Sequence, residues 1–430
     1  MTRNQFAVTL WGIVLISCLG LVGCGGGSTT ATQPVTPPPT GPASGSEFLY
    51  NLYFASDLMV ARIDPATGVI GATVDATPGL GPAPEYGSAV QFGKFLYVLG
   101  FDQNEFDQNL WIFSITGANG ELSTIDNSPF YAPGGDVPFS QSLLIDTTHG
   151  RLYTSGVDSP DGFSGFFISP YTIDSSDGSL SLGTTFNEQP IQGTFIPTPI
   201  IDPLGRFIYE FAFDAPNPQI FVYVIDATTG SLSEAGGSPF PLSSPLGNTY
   251  QNIQLLPSPS GDFLNVICEN GKNADFTAAN NIYVYSVDST TGALAQVNGS
   301  PFATQSNLGT PMVFSPSGEF LYGQFEGTPP GNPGFSLQTY AVDPANGSIG
   351  TAPVSSVPFK FGIAEDSQFD PSGNALILAA QIENDATAYS FTLNKTTGAL
   401  TPAAGSPFTL PNEASPPSTT YQSSLIVKIP

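Results

Sequence analysis

The chain has 430 residues and a formal net charge of -26, because nine basic residues face 35 acidic ones. Such a surface repels nucleic-acid phosphates, anionic lipid head groups and phosphorylated sugars, which excludes these as preferred partners. With 47 glycines, 41 prolines and 12% aromatic residues, the composition indicates apolar strands and many turns rather than long helices. It therefore predicts an all-β protein whose partners are neutral or cationic, although the acidity also serves solubility outside the cell.

Residues 1–23 have the layout of a secretory signal, since Arg3 precedes an apolar run from Phe6 to Val22. The run ends in Leu-Val-Gly-Cys, which resembles the lipobox of bacterial lipoproteins. The resemblance implies that Cys24 receives a diacylglycerol thioether before cleavage. The alternative is an uncleaved transmembrane anchor, for which the run is at the short limit.

The next segment comprises Cys24, the expected lipidation site, and residues 25–46. After the cysteine it has almost no apolar side chains and reads GGGSTTATQPVTPPPTGPASGS. It cannot bury a core, so we expect a flexible tether between the membrane and the folded part. Gly25 stands where proteobacterial lipoproteins retained in the inner membrane usually carry Asp. The expected location is therefore the cell envelope, at the outer membrane.

Residues 47–430 repeat one pattern seven times. Each copy contains a turn close to Asp-x-x-x-Gly-x-(Leu/Ile), where glycine supplies the positive φ that closes a hairpin. Apolar and aromatic runs precede every turn, which is typical of strands packed between neighbouring sheets. The turn glycines, spaced 51 to 62 residues apart, are Gly68, Gly120, Gly178, Gly230, Gly292, Gly347 and Gly398.

The two ends of the repeat region complement each other. The first copy lacks an inner strand, because Phe48 starts directly at the second strand of the pattern, whereas a spare strand from Ser423 to Ile429 follows the last copy. We expect this strand to join the first blade, which removes the open edges of a linear array. The sequence thus predicts one monomeric domain, a seven-bladed β-propeller of four-stranded antiparallel blades.

The recurring runs (Ser/Asp)-Pro-x-Gly-x-Phe-Leu-Tyr, I-x-V-Y-x-(Ile/Val)-Asp-x-x-Thr-Gly-x-Leu and Gly-Ser-Pro-Phe resemble the seven-bladed lactonase-like propellers related to 6-phosphogluconolactonase. The resemblance covers residues 48–430 and implies the fold and lactone hydrolysis. A phosphorylated substrate would require several Arg or Lys residues at the site. Only Lys272 clearly falls on the long loops, so the implied substrate is an uncharged sugar lactone, and no catalytic residue is assigned.

In an antiparallel blade, the connections between the second and third strands and between blades fall on one face, which we call the long-loop face. The tight turns fall on the opposite turn face. Binding residues on rigid scaffolds concentrate in such loops. Here the long-loop face includes the connections between blades near Tyr86, Tyr131, Tyr250 and Glu365. The predicted binding face comprises Asp102, Glu105, Asp107, Asp158, Asp161, Glu269, Lys272, Asp275 and Glu326.

The acidic residues of two of these loops could supply oxygen ligands to Ca²⁺. They are Asp102, Glu105, Asp107, Asp158 and Asp161. Their spacing does not match an EF-hand, and the alternative is a solvated acidic loop. No motif requires a cofactor.

Three further features have structural interpretations. His149, the only histidine, falls on the turn face, away from the long loops. Cys268 lies on a strand without a disulfide partner and is expected to be buried. Ser-Pro-Phe recurs in most blades, so its aromatic ring is expected to wedge between blades. The copies begin at Ser128, Ser238, Ser300 and Ser406, with Val357 starting a variant.

Two functions follow from these observations. The leading hypothesis is a lipoprotein whose long-loop face binds a glycan, a cation or a protein without marked catalysis. The alternative is a lactonase that acts on an uncharged sugar lactone.

Overall fold

The computed structural model describes residues 43–53, 58–77, 85–102, 107–126, 128–131, 140–157, 166–187, 199–212, 218–242, 250–270, 279–306, 308–326, 335–359, 364–382, 385–410 and 421–430. The chain divides into residues 1–38, which lie outside this description, and a unit of residues 39–430. The described part is all-β. It includes no helix with the length and apolar character needed to cross a bilayer.

Seven antiparallel sheets form the folded unit. The strands of blades 1 to 3 are β1 (Glu47–Tyr53), β2 (Met59–Ile63) and β3 (Ile70–Asp75); β4 (Glu85–Phe92), β5 (Phe95–Asp102), β6 (Asp107–Ile115), β7 (Leu122–Thr124) and β8 (Phe130–Tyr131); and β9 (Ser140–Asp146), β10 (Arg151–Val157), β11 (Phe166–Ile173), β12 (Leu180–Leu182) and β13 (Phe186–Asn187).

The strands of blades 4 and 5 are β14 (Ile200–Ile201), β15 (Phe207–Ala212), β16 (Gln219–Ile225), β17 (Leu232–Glu234) and β18 (Phe240–Pro241); and β19 (Tyr250–Pro257), β20 (Phe263–Asn270), β21 (Ala279–Val287), β22 (Leu294–Gln296) and β23 (Phe302–Ser306). Those of blades 6 and 7 are β24 (Leu308–Phe314), β25 (Phe320–Glu326), β26 (Phe335–Ala341) and β27 (Ser355–Phe359); and β28 (Ala364–Phe369), β29 (Ala375–Ile382), β30 (Asp385–Leu393), β31 (Leu400–Pro402) and β32 (Phe408–Leu410).

The last strand, β33 (Tyr421–Lys428), is the inner strand of blade 1. It pairs antiparallel with β1, and Val427 lies opposite Phe48. The inner strands contact one another in the order β33, β4, β9, β14, β19, β24 and β28, and β28 contacts β33 again. The predicted ring of seven blades, closed by the C-terminal strand, is therefore confirmed.

The turn face is built from the repeated turn. In blade 4, Asp226 Oδ1 accepts the Thr228 and Thr229 backbone N–H groups at 2.9 and 2.7 Å, and these hydrogen bonds lower the pKa of Asp226. Gly292 closes the equivalent turn of blade 5 at φ 73°. A Cβ at this glycine would lie 2.9 Å from the Phe207 ring of blade 4, so glycine permits both the turn and close blade packing.

Buried tyrosines tie several blades to the next one. The Tyr50 hydroxyl donates to the Gly120 carbonyl at 2.6 Å, and Tyr97 donates to Gly178 at 2.9 Å. In blade 7, Ser390 replaces the tyrosine and donates to Gly68 at 2.6 Å. Apolar clusters shared by neighbouring blades surround these bonds. Burial inside a dry interface makes each such bond costly to remove.

The outer strand is interrupted in five blades, where its two parts pair separately with the third strand. In four of them the interruption is Ser-Pro-Phe, since proline has no N–H for the ladder. The serine hydroxyl takes over, as when Ser128 Oγ accepts the Ile112 N–H at 2.9 Å. Phe130 then packs edge-on to Tyr171 of blade 3 with centroids 5.7 Å apart, which confirms the predicted wedge.

Candidate functional site

The predicted charged binding face lies largely outside the described residues. This applies to Glu105, Asp158, Asp161, Lys272 and Asp275. The backbones of Asp102 and Asp107 face each other across the β5–β6 hairpin, Glu269 pairs with Asn252, and Glu326 ends β25 opposite Phe335. All four stand at the long-loop ends of strands, and the binding face itself stays a prediction.

The described residues bring together a different feature at the long-loop end of the inner strands, which we call the axial mouth. Four adjacent inner strands shift their pairing register by one residue, leaving one residue of each outside the ladder. The unpaired residues are Glu365 in β28, Gln422 in β33, Gly87 in β4 and Gln141 in β9. We call them the mouth arc.

The four shifts occur at the same depth. In each blade, residues of the second strand are counted from the one that packs against the turn glycine of the next blade. The shift then always lies opposite the fifth and sixth residues of that strand. These residue pairs are Ala379 and Ala380, Leu52 and Tyr53, Leu99 and Gly100, and Ser155 and Gly156. Register shifts also occur in β19 and β24, but at other depths. Such bulges free backbone hydrogen-bonding groups and are common beside functional sites.

Side-chain amides hold the inner strands of the mouth arc together. Gln368 Nε2 donates to the Ser424 carbonyl at 2.7 Å, and Gln368 Oε1 accepts the Ile426 N–H at 3.2 Å. Gln91 makes the same pair of bonds to Lys428, at 2.6 and 3.1 Å. Blades 7, 1 and 2 are thus joined through backbone groups that the sheets leave unpaired.

One ionisable group lies directly behind the arc. Asp366 Oδ2 accepts hydrogen bonds from the Ser424 backbone N–H and hydroxyl, each at 3.2 Å, and from Gln368 Nε2 at 2.8 Å. The residue keeps some exposed surface, yet its carboxyl is deeply enclosed. Burial raises the pKa of Asp366, while the hydrogen bonds oppose the rise.

The turn face offers no comparable site for the remaining sequence candidates. His149 Nδ1 lies 2.7 Å from Asp146 Oδ2 in the turn between β9 and β10, so its placement on the turn face is confirmed. Cys268 is fully buried on β20, as predicted. Within the described ranges, no three His, Cys, Asp or Glu residues are grouped to hold a metal ion. The proposed calcium ligands lie in or beside loops outside the description.

The loop pattern of the sequence points to Glu365 but not to Gln141, Gln422 or Asp366. The predicted closing strand begins at Ser423, whereas β33 begins two residues earlier, at Tyr421. The four unpaired residues share a position only in the pairing register, opposite the fifth and sixth residues of the second strand, so no local sequence signal marks them. A charge-based search overlooks amides.

Comparison with known proteins places the fold. No protein-family model matches the sequence, and no curated protein sequence matches it. A provisionally assigned 6-phosphogluconolactonase from Bacteroides uniformis is 17% identical with a TM-score of 0.59, covering 90% of this chain and 100% of its own.

A second provisionally assigned 6-phosphogluconolactonase, from Bacteroides fragilis, is 14% identical with a TM-score of 0.61, covering 89% of this chain and 98% of its own. The periplasmic gluconolactonase of Pseudomonas aeruginosa is 16% identical with a TM-score of 0.59, covering 90% and 100%. Likeness at these identities concerns the fold alone. The chain has the seven-bladed propeller fold of these lactonase-like structures.

Proposed function

We propose that the protein is an exported propeller that binds a neutral, hydroxyl-rich ligand such as a glycan at the axial mouth. The supporting observation is the mouth arc, four unpaired inner-strand residues at one depth in adjacent blades. An orderly arrangement of this kind offers several backbone hydrogen-bonding groups to one ligand.

Three of the four arc residues, two glutamines and a glycine, are uncharged and favour a neutral sugar over a charged ligand. Glutamine amides both donate and accept hydrogen bonds, as sugar hydroxyls do. Gly87 has no side chain, which allows a ligand to approach the backbone closely. The strong net negative charge disfavours phosphorylated sugars. Calcium is proposed only as an optional ligand of the acidic loops, and neither it nor another cofactor is required.

The binding proposal is tested by screening the full chain on a glycan array and measuring affinity for the best neutral hit. The double variant Gln141→Ala, Gln422→Ala should weaken binding at least about tenfold, since each lost hydrogen bond in a desolvated site is worth about 1 kcal/mol. His149→Ala on the turn face is the control and should bind like wild type. Equal affinity of the double variant would exclude the mouth arc as the site.

The proposed attachment is a lipid at Cys24, with residues 25–46 as the tether and the outer membrane as the location of a monomeric propeller. The motivation is the lipobox-like tetrapeptide at the end of the apolar run. Cys24→Ala should abolish fatty-acid labelling and release the protein from the membrane fraction. Labelling that survives the substitution would rule out this anchor.

Lactone hydrolysis is the second candidate, supported by fold neighbours named as lactonases and by Asp366 behind the arc. A carboxyl with a raised pKa suits general acid or base work on an uncharged sugar lactone. Turnover of glucono-1,5-lactone should then fall at least about a hundredfold in Asp366→Asn and be unchanged in His149→Ala. Glycan binding without lactone turnover would exclude the lactonase function and support the binding function.

A further inference from the structure

A buried group of charged residues lies where blades 7 and 1 meet on the turn face. Glu47, the first residue of β1, is 0% exposed, and Asp370, in the turn after β28, is 2% exposed. Lys428 pairs with Glu47 in register across β1 and β33. Its Nζ lies 3.4 Å from Glu47 Oε1, and its side chain is 42% exposed.

The two carboxyl groups differ in their hydrogen bonds. Asp370 Oδ1 accepts the backbone N–H groups of Asn374 and Ala375 at 2.8 and 2.6 Å, and Oδ2 accepts the Ser372 hydroxyl. Neither Glu47 oxygen accepts a hydrogen bond from the described residues. The contact with Lys428 is within ion-pair distance but lacks hydrogen-bond geometry.

The charges at this seam do not balance. Asp370 and Lys428 face Glu47, so two acids share one partly solvated cation. Two other cations lie on neighbouring elements. Lys395 contacts the Ser372 carbonyl at 3.5 Å, and Arg62 stands opposite Phe48 in the β1–β2 ladder. At the position equivalent to Glu47, blade 4 has Arg206, which lies 2.6 Å from Asp202 in a balanced pair. An uncompensated buried carboxylate is costly, and a bound proton relieves the cost.

We propose that this seam is a pH-sensitive latch, in which a proton on Glu47 holds β33 against β1 and its loss loosens the closing strand. Protonated Glu47 is neutral, so one negative charge, on Asp370, and one positive charge, on Lys428, then remain beside it. Ionised Glu47 restores the excess negative charge. Release of β33 exposes Glu47 to water, which relieves the cost of its buried charge, whereas the attraction between Lys428 and Glu47 opposes the release.

The titration of Glu47 has the direction that this latch requires. Burial, and then the neighbouring Asp370, raise the pKa of Glu47 from 4.5 to about 7, while Lys428 opposes the rise. The closed seam therefore binds the proton more tightly than the open seam. Its advantage is fully present below pH 4.5 and is lost as the pH rises through about 7. The opening equilibrium should change by about two orders of magnitude.

Hydrogen–deuterium exchange of the full chain tests the latch. The protection of β33 peptides is measured at pH 5 and pH 8 relative to β24, an inner strand of blade 6 that corrects for the intrinsic pH dependence of exchange. We expect the relative protection of wild type to fall about a hundredfold at the higher pH. Unchanged relative protection would overturn the proposal.

Two variants and a matched control separate Glu47 from other acids. Glu47→Gln should keep β33 protected at both pH values, whereas Glu319→Gln, at the equivalent exposed position of blade 6, should behave as wild type. Lys428→Gln should move the loss of protection to higher pH, because the opposing cation is gone. A Glu47→Gln chain that keeps the pH dependence, or an unmoved midpoint in Lys428→Gln, contradicts the latch. The second variant decides the question where the first does not fold.

Discussion

The two faces of this propeller solve different problems with the same strands. On the turn face, seven similar turns pack on the preceding blade through glycines, and tyrosine hydroxyls reach turn carbonyls. At the axial mouth, register shifts leave inner-strand residues outside the ladder. The repeated face fixes the number and spacing of the blades. The mouth can therefore vary in residue type without loss of the fold.

The largest effect should come from filling a turn glycine. Gly292→Ala places a Cβ 2.9 Å from Phe207 at a positive φ, and we expect a loss of about 2–4 kcal/mol in unfolding free energy. Gly93→Ala is the control, because its φ is also positive but nothing lies within 4 Å of its Cβ. That control should lose only about 1 kcal/mol. Equal losses in urea unfolding would show that blade packing does not require the glycine.

A smaller loss should follow from cutting an inner-strand bridge. Gln91→Leu removes both hydrogen bonds to the Lys428 backbone, so a part-buried N–H and C=O lose their partners. We expect a loss of about 2 kcal/mol in unfolding free energy. Gln296→Leu, which removes an exposed bond to the Ser300 carbonyl, should change stability by less than about 0.5 kcal/mol. Similar losses in thermal unfolding would assign the inner bridges no special role.

The smallest expected effect is a gain in unfolding free energy, from a substitution in blade 5, where an asparagine stands in place of the repeated tyrosine. Asn265 occupies the place of Tyr97 and donates to the Leu256 carbonyl instead. A cavity remains beside it, lined in part by Phe314, Val342 and Gly347. Asn265→Tyr should fill it, direct a hydroxyl to the Gly347 carbonyl and add about 1 kcal/mol.

Asn265→Phe fills the same cavity without the hydroxyl and should add less than Asn265→Tyr. The comparison uses the midpoint of urea unfolding. A destabilised Asn265→Tyr would mean that blades 5 and 6 have closed over the space, and that the interface no longer accepts the repeat's own residue.

The fold could be predicted from the sequence because its strongest signals are local and repeated. Gly68 to Gly398 mark the turns, and the missing inner strand before Phe48 is supplied by the tail. The mouth arc could not be predicted, because a bulge is a single extra residue whose position depends on pairing with a distant strand. Gln422, for example, is identified only by the β1–β33 register. Acidic loop residues are readily predicted to bind a ligand from sequence, whereas glutamine amides cannot be told from ordinary polar surface residues.

The closing strand also determines where the chain leaves the ring. The Gly45 N–H donates to the Ile429 carbonyl at 2.7 Å, so residues 43–46 run along the turn-face end of β33. A lipid-bound tether entering at residue 43 would therefore pull on the turn face, leaving the mouth directed away from its point of attachment.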